Sequence, residues 1–303
     1  MRKEMNVLTV IMMILVVMML STITVFASAG TDWDNGKITV EGYGAPPMNA
    51  HSAAQARMMT RRAAIVDAYQ SFAEEIQGVN VDAESTVKDM ETQSNIVKTK
   101  VTALIKGAKI ISEETQSDGG YRVVMQISMY GVSDSLANAV MPVSEQKVAF
   151  PTPVAGVAPS ISVNIALNNS GTITQTGGGS SAAPVPESAL GLKAIGGYTG
   201  LIVDCRGLDL NPVMSPVIKN GNGQPIYGYK NLDSQKVISN GMASYMSDTN
   251  SSSRAGNNPL IIKAVNLESH NSYPIISVAD ANRVLVENAA SGFLDNCAVV
   301  FIR

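Results

Sequence analysis

Two cysteines and two histidines are the chain's whole supply of the side chains most used for nucleophilic and metal chemistry, in 303 residues. Cys205 as nucleophile, His270 as base and Asp204 or Asp209 as orienter would complete a hydrolytic triad, provided all three groups come within hydrogen-bond reach. None of them stands in a recognisable hydrolase motif, and His270 lies in the polar run Leu267-Glu-Ser-His-Asn-Ser, where a solvated histidine is the default. His51 and His270 are too far apart in sequence to show metal-ligand spacing. Asp233 and Asp248 are too scattered for a calcium loop. No glycine pattern follows a strand and opens a helix as a phosphate cradle requires, and Gly177-Gly-Gly sits among small residues. The expectation is therefore no catalytic, cofactor-binding or metal site.

The cysteines have a second use. Cys205 and Cys297 both fall on predicted strands of one module, and in an oxidising compartment they could form a disulfide. Closing a loop of about ninety residues, it would stabilise an unstrained fold by roughly 4 kcal/mol. Two buried, inert thiols fit the same residues equally well. Strand adjacency decides between them and is not legible in sequence.

The elements that would position such groups are clearest in residues 38 to 130. Lys37 to Tyr43 reads as a strand, stopped by Gly44-Ala45-Pro46-Pro47, where two prolines remove two backbone donors. A helix capped by Asn49 or Ser52 should run to Gln77 and end at Gly78. Its apolar arc is expected to hold Met58, Ile65, Tyr69, Phe72 and Ile76, flanked by Met59, Val66, Ala68 and Ala73, with Thr60, Asp67, Ser71 and Glu74 opposite. Arg62 falls inside that arc, where its methylenes can cover a sheet edge while the guanidinium reaches water. Arg57 and Arg61 sit at the arc's margin. If this face meets a partner, these three arginines are the candidate contacts.

After Gly78 the period becomes two, with Val79, Val81, Ala83 and Val87 alternating with polar residues, which predicts a half-buried strand. A second helix follows from Thr92 or Ser94 to Lys106, before Gly107. Lys109 to Thr115 and Tyr121 to Tyr130 then read as strands joined across Asp118-Gly119-Gly120. The expected fold class is α+β: β-α-β-α-β-β, two helices on one face of a mixed sheet.

Val40-Glu-Gly-Tyr-Gly-Ala-Pro-Pro47, Ala56-Arg57, Arg61-Arg-Ala-Ala-Ile-Val-Asp-Ala-Tyr69, Gly78-Val-Asn-Val-Asp-Ala-Glu-Ser-Thr-Val87 and Ile105-Lys-Gly-Ala108 together resemble the LPP-twenty family of bacterial envelope proteins. That family is similar in turn to the N-terminal domain of flagellar assembly protein T. The resemblance implies an envelope address and an assembly-type role without catalytic residues. The family's founding members are lipoproteins, whereas this chain has no cysteine near its N-terminus.

Residues 1–29 read as a secretory signal: Arg2 and Lys3, an apolar run from Val7 to Leu20, then Ala27-Ser28-Ala29 with small residues where a signal peptidase reads. An uncleaved anchor is the competing reading, since Val7 to Phe26 approaches the roughly twenty residues of a span. Cleavage would remove Arg2, Lys3 and Glu4, taking the formal charge from −3 to −4. That mild acidity argues against a nucleic-acid partner, for which a clustered basic face would be expected. No other apolar run approaches a membrane span.

Residues 132–195 read as a low-complexity linker of Pro, Gly, Ser and Ala, too poor in apolar bulk to offset the entropy of ordering. Within it Ser160 to Leu167 alternates like an isolated strand. Residues 196–303 form a second, smaller α+β module. It opens on a buried central strand, Leu201 to Val203. A hairpin over Asn220-Gly-Asn-Gly should follow, then a helix from Ser239 to Met246, a polar loop from Asp248 to Asn258, and strands at Leu260 to Asn266 and Pro274 to Val278. A helix from Ala279 to Ala290, presenting Val284, Leu285 and Ala289, and a terminal strand from Cys297 to Ile302 complete it.

The domains expected are thus a signal peptide (1–29), an α+β domain (30–131), a linker (132–195) and a C-terminal module (196–303). The function expected is that of an exported, non-enzymatic structural or assembly protein, periplasmic or outer-membrane associated. Its partners would be envelope or flagellar basal-body proteins or a second copy of itself. A module binding cell-wall peptide or glycan is the alternative, and a cysteine hydrolase using Cys205 and His270 the third reading.

Overall fold

The computed structural model describes residues 29–144, 146–160, 193–247 and 254–303. The chain is α+β, with three four-stranded sheets among the described residues. The signal segment, all but the first residue of the strand expected at Ser160 to Leu167, and the first half of the polar loop after Asp248 lie outside the described residues.

The first sheet contains β1 (Gly30–Asp32), β2 (Lys37–Gly44), β3 (Lys109–Thr115) and β4 (Tyr121–Ser128) in the order β1-β2-β4-β3. All its pairings are antiparallel. Between β2 and β3 come α1 (Ala53–Gln77), α2 (Val87–Gln93) and α3 (Asn95–Lys106). Ser52 caps α1 by accepting from Gln55 N at 3.1 Å, satisfying a donor that the helix itself cannot. Ile38 and Val40 of β2, opposite Ile127 and Met125 of β4, meet Ala64, Ala68, Phe72 and Ile76 of α1, and Val101 and Leu104 of α3 close the same core.

The strand expected over Val79 to Val87 does not form. Its valines are buried as the alternation implies, but the chain folds back on itself: Val81 N donates to Ser85 O and Val87 N to Val79 O, leaving one isolated bridge, Asn80 to Thr86. Local polar chemistry wins here. Asp82 Oδ1 accepts from the backbone N–H groups of Glu84 and Ser85, and Thr86 with Asp89 forms a capping box that starts α2.

The second half holds a parallel sheet, β8-β12-β5-β9, made of β5 (Gly200–Asp204), β8 (Ser244–Met246), β9 (Pro259–Lys263) and β12 (Val299–Ile302). As expected of an inner strand, β5 is buried along most of its length. The third sheet, β10-β11-β6-β7, joins the hairpin β6 (Ile218–Asn220) and β7 (Pro225–Tyr227) to β10 (Asn266–Glu268) and β11 (Tyr273–Ile276). The helix expected from Ser239 to Met246 lies earlier. Asp233 caps a helix over Ser234–Asn240, Gly241 at φ 74° ends it, and Ser244–Met246 is strand.

The stretch 132–160 also departs from the expectation of a loose linker. A short helix, α4 (Leu136–Val140), is buried, and its N-cap Ser135 Oγ donates to Gly131 O at 2.7 Å. The helices of the second half are α5 (Ser234–Asn240) and α6 (Val278–Ser291), and the chain continues as a strap across both. Ser234 Oγ of α5 donates to Ser144 O, and Val148 N donates to Lys230 O just before that helix. On α6, Asn282 exchanges hydrogen bonds with Val154 and Val157. Composition measures what a segment can bury by itself. Here the polar groups of helices already in place satisfy its backbone, as a buried strap requires.

Both halves share one continuous apolar cluster. Trp33 stands edge-on to Tyr245 at 5.6 Å between ring centroids, and Tyr245 packs on Phe301 at 5.3 Å. The folded-back segment 79–86 docks main chain to main chain: Asn80 O accepts from Met214 N at 3.0 Å and Val81 O from Ser215 N at 2.8 Å. Gly131 N donates to Ile238 O at 2.9 Å, and the Tyr130 ring fills the space a Cβ at Gly241 would occupy.

Candidate functional site

The first helix carries its apolar residues on two faces for a reason set by β2. Gly42 and Gly44 let the α1 backbone settle almost onto the strand, so a Cβ on Gly42 would lie 2.5 Å from Ala68 N and 2.7 Å from its Cβ. Only small side chains fit beneath such a helix, and the buried row is Thr60, Ala64 and Ala68 before Phe72 and Ile76. Thr60, expected outside, is inside; its hydroxyl is satisfied by Ala56 O at 2.7 Å.

The bulky residues of the N-terminal half therefore face outward. Met58 is 74% exposed, and Met59 and Val66 are about half exposed at 48% and 51%. These three were expected on or beside the buried arc. At 100° per residue, Met58, Arg62 and Val66 form the outermost ridge, with Arg57 and Arg61 along one flank. Arg57 and Arg62 are exposed and make no ion pair among the described residues. Arg61 instead binds Glu113 of β3, Nε to Oε2 at 2.7 Å, which raises the guanidinium's pKa and lowers the carboxyl's. The three arginines thus divide into one used within the fold and two left free.

The cysteine site does not assemble. Cys205 is buried at the far end of β5, its thiol pushed up to about 12, chiefly by burial, and its Sγ rests 3.8 Å from Val203 O. Asp204 is occupied by Arg206, which donates from Nε at 2.9 Å and Nη2 at 2.6 Å and holds the carboxyl below its usual range. His270 lies in a left-handed turn, φ 55°, with Nδ1 3.1 Å from Ala83 O of the first half. It is a contact between halves, not a base beside the thiol. Asp209 is also left-handed, φ 54°. His51, on an exposed turn, donates its backbone N–H to Gln55 Oε1.

Nor are the cysteines bridged. Both thiols are free, and β5 and β12 run parallel with Val299 opposite Leu201, so Cys205 follows one strand's end while Cys297 precedes the other's start. The four residue steps from Leu201 to Cys205 alone span about 13 Å, well beyond the roughly 7 Å limit for bridging Cα atoms. Native protein is expected to leave both thiols unlabelled by an aromatic disulfide reagent, with full labelling after unfolding and no change in Tm on adding reductant. A lower Tm in reductant would indicate a bridge.

Where the halves meet, a cavity of about 680 Å³ opens between β1, the C-terminal part of α1 and the loop at Asn211 and Pro212. Glu74 and Glu75 line it, and Thr31 Oγ1 donates to Glu75 Oε1 at 2.6 Å.

Another feature is a charge pair sealed under the strap. Glu287 has no exposed surface; its Oε1 accepts from Arg283 Nη1 at 2.8 Å and from Ile195 N at 2.7 Å, and its Oε2 from Gly196 N at 2.8 Å. Arg283 Nε donates to Ser160 O at 2.6 Å. The sequence signal was present in Arg283-Val-Leu-Val-Glu287, an opposite-charge pair four apart within an apolar helix, while Ala289, expected on the buried face, is exposed.

The first half, with glycines of β2 beneath a long capped helix and an antiparallel hairpin behind, is one of two parts that comparison recognises. Residues 32–128 match the LPP20 lipoprotein family. Residues 200–303 match the family of the second domain of Treponema pallidum Tp0624. No curated protein matches the chain. The LPP20 match points to an exported, envelope-associated class of protein and covers the outward ridge of α1, the Arg61–Glu113 pair and both β2 glycines. Among the described residues no helix is long and apolar enough to cross a membrane.

Proposed function

We propose that this chain is a non-catalytic structural or assembly component of a bacterial cell envelope, working in the periplasm or at the outer membrane. Its docking surface is the outer face of α1, and its occupant is an envelope protein with an acidic rim. Residues 30–131 would form the contact module, with 196–303 as a second module braced against it. The observation that carries this reading is the outward ridge Met58, Arg62 and Val66 on a helix whose inner row is made of small residues. Exposed apolar side chains beside unpaired cations suit a partner with complementary charge, and methionine adapts to irregular surfaces. Flagellar basal-body proteins are one such partner class, in line with the family resemblance.

A photo-crosslinking residue at position 58 or 66, in cells, is expected to give a discrete adduct with an envelope protein. Combining Arg57→Glu with Arg62→Glu should reduce that adduct several-fold while Tm stays unchanged. Self-adducts would name a second copy as the partner. Retention on purified peptidoglycan that ignores both arginine reversals, without α1 adducts, would replace this reading with the wall-binding alternative.

A further inference from the structure

Gly30 opens β1, pairs with Thr39 of β2 and has φ 124°, a conformation that a side chain would strain. It also forms part of the wall of the junction cavity. A Cβ placed on it would stand 3.8 Å from Glu75 Oε1, so its backbone runs beside that carboxylate. Glu75 receives the Thr31 hydroxyl but makes no ion pair among the described residues. The oxygen nearest Gly30, Oε1, is the one that accepts the Thr31 hydroxyl, and an ionised carboxylate oxygen has a second lone pair suited to a cationic donor beside it.

The sequence supplies that cation. Ala27-Ser28-Ala29 ends the signal immediately before Gly30. Hydrolysis of the Ala29–Gly30 amide by a signal peptidase consumes one water: the oxygen stays with the Ala29 carboxylate of the leaving segment, and the Gly30 nitrogen becomes an amine, protonated at neutral pH. We propose that this newly released ammonium seats in the junction cavity as the counter-ion of Glu75, fastening β1 to α1 only once the leader has been removed. The cavity is in this sense a receptor for a primary ammonium, and its ligand is the chain's own processed end. The inference rests on export with cleavage after Ala29.

The charged groups around Gly30 favour this seat. Glu74 and Glu75 face it from α1, Glu41 of β2 is already held by Arg122, Asp32 is tied to Asn35, and the second half contributes the uncharged Asn211 and Pro212. Pairing raises the ammonium's pKa above the usual value of about 7.7–8.0. Its stabilisation is therefore complete below that value and disappears as pH rises through the raised one.

The test begins with the intact mass of the protein recovered from the envelope fraction, which is expected to show a chain starting at Gly30. Thermal melting then compares this chain with one starting at Ser28, whose ammonium is displaced by about 7 Å. At pH 6.5 the Gly30 chain should melt about 2–4 °C higher, at pH 10.5 the two should coincide, and Glu75→Gln should abolish the difference at both. A different or unprocessed start overturns the cleavage reading and the seat with it. A start at Gly30 with equal melting of the two chains, or a difference that survives Glu75→Gln, overturns the seat alone.

Discussion

Replacing Glu287 with alanine is expected to lower the stability of the chain by about 3–5 kcal/mol, the cost of breaking a buried ion pair from one side. The carboxylate has no exposed surface and serves three donors, Arg283 and the backbone N–H groups of Ile195 and Gly196. Its removal leaves a guanidinium buried without a counter-ion and two amides without an acceptor, and unsatisfied buried donors each carry their own penalty. Glu287→Gln keeps an acceptor and should cost less. Replacing both partners, Arg283→Met with Glu287→Leu, should recover part of the loss, since the charge penalty goes while the amides stay unmet. Urea unfolding monitored by tryptophan fluorescence measures all three, and limited proteolysis should find new cleavage near residues 154–160 in the alanine variant. A loss below about 1 kcal/mol for Glu287→Ala would mean that the strap is not held by this pair.

Gly42→Ala is expected to be nearly as damaging, at about 2–4 kcal/mol, although it adds one methyl group. That methyl would meet the Ala64 carbonyl oxygen, Ala68 N and Ala68 Cβ. Two of these are backbone atoms that no rotamer change can move, so the helix must lift off the strand and open the core beneath Phe72. Gly221→Ala is the control: the nearest atom to its added methyl is 3.6 Å away, ordinary contact, and its cost should stay within about 0.5 kcal/mol. Equal effects at the two positions would contradict the close approach of α1 and β2. Lifting α1 should also weaken any contact made through Met58 and Arg62, linking stability to docking.

The elements that announced themselves in the sequence were those with local punctuation. Ser52 and Gly78 bracket α1, Pro46-Pro47 stops β2, and Asp118-Gly119-Gly120 turns β3 into β4, so these were legible to within a residue or two. The face of α1 was not, because periodicity reports where apolar bulk lies and is silent on how closely a helix sits. With Gly42 and Gly44 beneath it, alanine and threonine take the inside and methionine the outside. Alternation over 79–87 was a true signal of burial attributed to the wrong backbone, since a tight fold-back can also turn alternate valines inward. Arg62 was found by its misfit with the wheel, and Arg57 and Arg61 by their place at the arc's margin. The Arg283–Glu287 pair stood four apart in plain sight, but what it holds, Ser160 on one side and Ile195 and Gly196 on the other, is distant in sequence and was not legible.

The Arg283–Glu287 pair has a geometric corollary. Ser160 on one side and Ile195 on the other are fastened to adjacent turns of one helix. Ser160 and Ile195 are therefore held at one address, so the two lengths of chain that reach them keep a fixed separation on a single helix. One ion pair thus acts as a single post to which two separate stretches of backbone are tied, and losing it would loosen both at once.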